Sequence, residues 1–319
     1  MSQVICLGEI LIDRIADEPG KDINLIQNWT NYPGGAPANV ACALNRLGTS
    51  SAFLGCISQD QLGQDLRSTL LSYGVSLELL QVHPTASTRQ VFVTRDANGD
   101  RTFAGFNQTP TTLADTQLSF ERTDRTAFKT ANFLYLGSLI LAESQCRQVV
   151  DQYLQLAKSL EIKIFMDVNL RAMFWENPEE SKSLILDNLK NVDYLKVSTE
   201  EAHWLFNSQD SKEIYTQYAN LKGLFITDGA KGCSYHLHKF SGSMPGFIVN
   251  TIDTTGAGDG FVAGCIHQLI LHPSITNHIQ AESLVRYANA VGALSTEQLG
   301  AIASEPNHTS VAKFLKANI

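Results

Sequence analysis

Short apolar runs and amphipathic segments alternate along nearly the whole chain, and this alternation limits the fold more than any other feature. The run "VICLGEILID" (4–13) reads as a strand. "PANVACALNRLG" (37–48) reads as a helix: Val40, Ala43, Leu44 and Leu47 share a face, Pro37 suits a first turn and Gly48 a C-terminal cap. "SAFLGCI" (51–57) is strand-like, and "DQLGQDLRSTLLSYG" (60–74) is helical and ends on Gly74. Strands follow at 132–137, 162–168, 193–198 and 223–229, with helices at 143–160, 178–190, 199–207, near 258–271 and at 279–299. Strands that alternate with helices predict βαβ units, hence a mostly parallel sheet with helices on both faces.

One region departs from this rhythm. Residues 86–107, "ASTRQVFVTRDANGDRTFAGFN", alternate with period two around Val91, Val93 and Phe103, and "DANGD" supplies a turn. This predicts a β-hairpin. Residues 14–33 also lack helical periodicity. The two segments are expected to form a small sheet that acts as a lid on a single domain spanning 1–319.

Bulk properties narrow the function. Of 319 residues, 44% are hydrophobic and 18% charged, with a formal net charge of −8. An acidic surface without Lys/Arg runs argues against nucleic acid or anionic membrane as the partner. The longest apolar stretch, "FLYLGSLILA", is about half of a membrane span. The N-terminus has no basic region of a signal peptide. The six scattered cysteines, none in CxxC spacing, read as reduced core thiols, so a cytoplasmic location is expected. The histidines show no zinc-ligand spacing.

Two stretches carry chemistry. "DTTGAGDGF" (253–261) sets small residues at what reads as the mouth of a helix, Phe261 to Leu271. The N–H groups of Gly256, Ala257 and Gly258 can converge on an oxyanion, and Gly260 and Gly264 would let the helix pack closely. The stretch reads equally as an ordinary glycine turn with Asp259 as helix cap. It is neither a Walker A loop nor a dinucleotide fingerprint. In "YPGGAPANVACALNRLG" (32–48), Gly34-Gly35 permits unusual backbone angles, and Asn39 on the first turn can both donate to and accept from a hydroxyl. Taken alone, a Gly-Gly turn with a solvated asparagine is the commoner meaning.

Together the two stretches resemble the signature motifs of the ribokinase-like (PfkB) carbohydrate kinases, from Gly8 to about Ser304. The fructokinase subgroup is most similar. Its G-E-x-L-I-D pattern matches 8–13, G-G-A-P-A-N-V-A matches 34–41, D-x-N-x-R matches Asp167, Asn169 and Arg171, K-V-S-x-x-E matches Lys196 to Glu201, and G-A-K-G-C matches 229–233.

The resemblance implies a ribokinase-like α/β fold and transfer of the γ-phosphoryl of ATP to a sugar hydroxyl, with fructose as the expected acceptor. It implies Asp259 as base, Gly256, Ala257 and Gly258 as anion hole, and Arg171 at phosphate. Asp13, Gly34, Gly35 and Asn39 would bind the sugar. Lys196, Ser198, Thr227, Gly229, Gly232 and Asn289 would line the nucleotide. Glu201, Asp167 and Asn169 would act on Mg²⁺ through water. Asp253, Thr255, Gly300 and Ser304 match a site for a monovalent cation such as K⁺. Outside the motifs, Arg171 reads as a surface ion-pair residue and Glu201 as a first-turn acid.

The chain also departs from the subgroup. Asn107 stands where a lid arginine is usual, Arg89 sits in a lid strand, and Asp228 occupies the T-x-G motif. Arg89 and Asn107 are therefore expected to face the sugar's far end. A keto-acid sugar, as in 2-keto-3-deoxygluconate kinases, would want such an arginine, Arg89 or Arg101. A non-catalytic scaffold is the alternative of another class, and the intact motifs speak against it. A helix N-terminus is expected to lower the pKa of Asp259. Exposed lid edges make a homodimer through the lid a candidate assembly.

Overall fold

The apolar run 4–13 is two strands in two different sheets, not one. β1 (Val4–Leu7) lies in the large sheet and β2 (Leu11–Ala16) in the small one. Gly8 makes the break at φ 147°, a conformation that favours glycine, and a Cβ there would lie 2.6 Å from the Pro37 ring. The computed structural model describes residues 2–95, 101–175, 177–302 and 305–318, without the side chains of Arg95, Arg101, Thr102 and Pro178.

Beyond β2 come β3 (Trp29–Gly34), α1 (Ala36–Leu47), β4 (Ser51–Ser58), α2 (Gln61–Ser72) and β5 (Leu80–His83). The hairpin β6 (Gln90–Arg95) and β7 (Arg101–Phe106) precedes β8 (Phe133–Gly137), α3 (Ser144–Ser159), β9 (Lys163–Asp167) and α4 (Pro178–Leu189). Then follow β10 (Tyr194–Ser198), α5 (Thr199–Phe206), α6 (Ser211–Gln217) and β11 (Gly223–Thr227). The chain closes with β12 (Cys233–Leu237), β13 (Phe240–Met244), α7 (Ala257–Leu271), α8 (His278–Leu294) and α9 (His308–Ala317).

The nine strands of the large sheet run in the order β13-β12-β11-β10-β9-β8-β1-β4-β5. Its members from β11 to β5 pair in parallel, and β12 and β13 are antiparallel additions. The parallel strands from β11 to β4 are buried on both faces, as such sheets require, and the edge strand β5 is half-exposed. Alternate residues serve two cores. Val4, Cys6, Phe133, Phe165 and Phe225 face α1, α7 and α8, while Ile5, Leu7, Leu134, Ile164 and Leu224 face α3 to α6. Phe165 stacks on Tyr194 and Phe225 at 6.1 and 6.0 Å, an aromatic row across neighbouring strands.

The small sheet has the order β3-β2-β6-β7. It joins strands from the segments 14–33 and 86–107 into one small sheet, as expected. The predicted caps also form: Gly48 (φ 93°) donates to Asn45 O, and Gly74 (φ 75°) donates to Leu71 O. α8 stops at Leu294, short of the expected 299. Its continuation is diverted because Ile252 and Asp253 N–H groups both donate to Thr296 O. α7 begins at Ala257, ahead of Phe261, because Gly256 (φ 86°) turns the chain directly into the helix.

The glycines of α7 permit close packing. A Cβ on Gly264 would lie 2.8 Å from the Ala288 Cα of α8. Gly264→Val is therefore expected to force α7 and α8 apart and cost about 1–3 kcal/mol. Urea unfolding would show this as a lower midpoint at an unchanged slope; an unchanged midpoint would contradict the packing argument.

Candidate active site

The carboxyl ends of parallel strands are where α/β sheets place ligands. Here the segments after β1, β9, β10 and β11, the first turn of α7 and the inner face of the small sheet enclose a cleft of ≈ 840 Å³. A second cavity of ≈ 310 Å³ lies beside it, and the two share Thr227, Thr254 and Gly258. The first turn of α7 therefore stands at the junction of two limbs.

Gly256, Gly258 and Asp259 line the large limb, and Ala257 and Gly258 the small one. Asp259 is 8% exposed, and its Oδ2 accepts from Asn39 Nδ2 at 2.8 Å. Asn39 Oδ1 is buried without a protein partner. The sequence placed Asn39 at the sugar; in the structure its amide also binds Asp259. Burial pushes the Asp259 carboxyl above its ordinary pKa, against the lowering by the Asn39 hydrogen bond, Arg171 and Lys196. This corrects the expectation of a lowered pKa: desolvation of the charged form outweighs the helix terminus.

Asp13 and Gly35 line the cleft and Gly34 supports them. A Cβ on Gly34 would lie 2.5 Å from Asp13 Oδ2, and one on Gly35 (φ 106°) 2.6 Å from Glu9 O. Arg89 and Asn107 are not cleft residues, contrary to expectation. Arg89 is 3% exposed, its Nε donates to Asp115 Oδ2 at 2.7 Å, and its guanidinium lies against the Phe106 and Phe174 rings. Asn107 Nδ2 donates to Thr88 O and its Oδ1 accepts from Gln90 N, so it ties the two ends of the hairpin. Its amide is consumed by backbone. The Arg101 side chain lies outside the described residues.

Thr227, Gly229, Gly232 and Asn289, four of the residues expected at a nucleotide, line the small limb together. Asn289 Nδ2 donates to Met244 O and Pro245 O, which fixes the loop that carries Phe247 and Val249 into this limb. Lys196 and Ser198 lie in the large limb instead. Ser198 and Glu201 form a capping box on α5. The other Glu201 oxygen accepts from Leu170 N at 2.6 Å. Arg171 is exposed, lines the cleft, and donates to Leu170 O. Asp228 turns away to Lys231 at 3.0 Å.

Of the expected magnesium residues, Glu201 and Asn169 line the cleft, but Asp167 does not. Asp167 is 1% exposed and paired with Lys196. Among the described residues no three His, Cys, Asp or Glu side chains are grouped to hold a metal directly. Asp253, Thr255 and Gly300 do come together: Asp253 Oδ1 accepts from Thr255 N and Oγ1, and its Oδ2 from Gly300 N. Ser304 lies outside the described residues.

Sequence reasoning missed Glu9, Phe174, Trp204 and Thr254 in the cleft. Glu9 had a signal, since it sits in the G-E-x-L-I-D match. Burial pushes it up to about 7, and its Oε1 accepts from Ala36 N at 3.1 Å. Trp204 had none, because a tryptophan on a helix face reads as packing.

The Asn39 contact is testable without any ligand. In ¹³C NMR, with Asp259→Asn used to assign the signal, the Asp259 carboxyl should titrate above the ordinary 3.8. Asn39→Ala should move that titration higher still, because a hydrogen bond to the charged form is removed. A shift downward would show that Asn39 does not stabilise the carboxylate.

The model of the pfkB family carbohydrate kinases matches residues 1–308. The chain is 36% identical to fructokinase-2 of Oryza sativa subsp. japonica over 307 residues, which cover 95% of this chain and 90% of that one. A crystal structure of fructokinase with bound ATP from Xylella fastidiosa superposes with a TM-score of 0.89 at 27% identity, covering 100% and 99% of the two chains. A fructokinase double mutant from Vibrio cholerae O395, solved with fructose, ADP and potassium ion, gives 0.83 at 29% identity and covers 99% and 98%. A matched family model over nearly the whole length, on a fold with both signature turns facing one cleft, leaves one assignment: this chain belongs to the pfkB family of carbohydrate kinases.

Proposed function

We propose that the chain transfers the γ-phosphoryl of ATP to a hydroxyl of fructose, giving fructose 6-phosphate and ADP. The observation that carries this reading is the position of Asp259 at the junction of two limbs, one lined by Asp13, Gly35 and Asn39 of the residues expected for sugar, the other by Thr227, Gly229, Gly232 and Asn289 of those expected for nucleotide. The fructokinase names of the relatives support the choice of sugar.

In this reading the sugar lies in the large limb against Asp13, Gly35 and Asn39, and the adenine end of ATP lies in the small limb between Phe247, Val249 and Asn289. The attacking hydroxyl donates to Asp259. Its proton passes there as the new O–P bond forms and the bond to the ADP oxygen breaks. The N–H groups at Gly256 to Gly258 receive the oxygens of the transferring group. Phosphoryl transfer depends mainly on such positioning and charge stabilisation. Mg²⁺ that arrives with ATP would neutralise charge on the phosphate oxygens. Glu201 and Asn169 fit contact with its waters, since Glu201 already gives both oxygens to backbone N–H groups. The Asp253–Thr255–Gly300 clasp supports a K⁺ site behind the anion hole.

Arg89 supports a neutral sugar over a keto-acid one. Its guanidinium is committed to Asp115 and buried under Phe106 and Phe174.

An ADP-release assay over fructose, glucose, ribose and ketodeoxygluconate tests the reading. Fructose should give the highest kcat/KM, and Asp259→Asn should lose at least ~10²-fold. Turnover of none of these sugars would refute the reading. The pH profile follows from the raised Asp259 pKa. Below that pKa the base is protonated, so kcat/KM should fall on acidification with a midpoint above the ordinary 3.8. A midpoint below it would show that burial does not govern Asp259.

A further inference from the structure

Lys196 occupies an unusual place. It is 6% exposed, in the interior of β10, directly across the strand pair from Asp167 on β9. Its Nζ lies 3.0 Å from Asp167 Oδ1 and 3.2 Å from Oδ2. The same Nζ is pressed against the start of α7: a Cβ on Gly258 would lie 3.1 Å from it. Any side chain at 258 would make the ammonium give way by a few tenths of an ångström.

Two costs meet here. A buried ion pair gives up hydration that its own attraction rarely outweighs. A cation at a helix N-terminus also meets the positive end of the helix dipole. Neither serves stability. Both become favourable when an anion sits on the first turn of α7, between the N–H groups and the ammonium. Burial alone would strip Lys196 of its proton, but Asp167, Glu201 and Asp259 outweigh that and keep it charged.

We propose that Lys196 is the fixed positive charge of the phosphoryl-transfer site, and that Asp167 is a positioning residue that holds Lys196 there and takes no part in metal binding. The inference rests on the kinase reading above. As the sugar oxygen bonds to phosphorus and ADP departs with the electron pair of the broken P–O bond, the proton of the attacking hydroxyl goes to Asp259. Negative charge on the transferring group's remaining oxygens is met by the Gly256 to Gly258 N–H groups and by Lys196.

The test compares the full-length wild type with Lys196→Met, Asp167→Asn and the double variant. Lys196→Met should lower kcat by ~10²–10³-fold, the usual worth of one preorganised group, with the fructose KM changed less than ~3-fold. Lys196→Met alone leaves a buried aspartate unpaired and is expected to lose stability. The double variant removes both charges and should keep a thermal midpoint near wild type.

A merely structural pair predicts that the double variant regains wild-type kcat. The proposal predicts that it does not, and that aluminium fluoride no longer tightens ADP binding in calorimetry. Recovery of kcat in the double variant, or wild-type kcat in Lys196→Met, overturns the proposal while leaving the kinase reading intact. A wild type that turns over no sugar overturns the kinase reading, and this assignment with it.

Discussion

The hydrogen bond from Asn39 Nδ2 to Asp259 Oδ2, 2.8 Å long between residues 220 apart in sequence, is the contact on which the site depends. It forms only if the first turns of α1 and α7 lie side by side at the same edge of the sheet. Each helix is entered through a glycine that other residues could not replace without strain, Gly35 at φ 106° and Gly256 at φ 86°. Cβ atoms there would meet Glu9 O at 2.6 Å and Ala301 Cα at 2.9 Å. The two signature stretches thus act as one unit: each supplies a helix start, and each helix start aims one polar side chain at the other.

The electrostatics of the cleft are a contest of magnitudes. A helix N-terminus favours a carboxylate by about 0.3–1 kcal/mol, up to ~2 in buried geometry. Full burial can shift a pKa by ~3–5 units, at about 1.4 kcal/mol per unit. For Asp259, burial wins, and the group becomes a stronger base than a surface aspartate. The same burial pushes Glu9 up to about 7 and Asp167, despite its lysine, up to about 7.

Much of this was legible in the sequence. The alternation gave the parallel sheet, and most elements fall within a residue or two of their expected ends. Period-two alternation around Val91 and Phe103 pointed to the β6–β7 hairpin. The failures share a cause: they depend on what a residue meets in space. Gly8 breaks an apolar run because Pro37 lies against it, which periodicity does not see. Arg89 in a lid strand looks like a substrate ligand until Asp115, 26 residues away, is found beside it. Asp167 looks like a metal ligand until Lys196 appears on the neighbouring strand. Charged residues in motifs were legible as charged residues in the site; which partner each would take was not.

The buried Arg89–Asp115 pair also bears on how the sugar end is read. With the guanidinium sealed beneath Phe106 and Phe174, the described side chains around the far end of the cleft are Leu11, Val91, Val93, Phe103 and Phe174, an apolar wall. A carboxylate pushed against such a wall would lose water without gaining a partner, a penalty of several kcal/mol. The C–H face of a neutral hexose would pack there at no such cost, while Asp13, directly across the strand pair from Val91, and Asn39 would be offered to its hydroxyls. In the proposed reading Arg89 would act on specificity without touching substrate: paired with Asp115, its guanidinium is withheld from an acid at this end of the cleft, and shape and hydroxyl placement would decide.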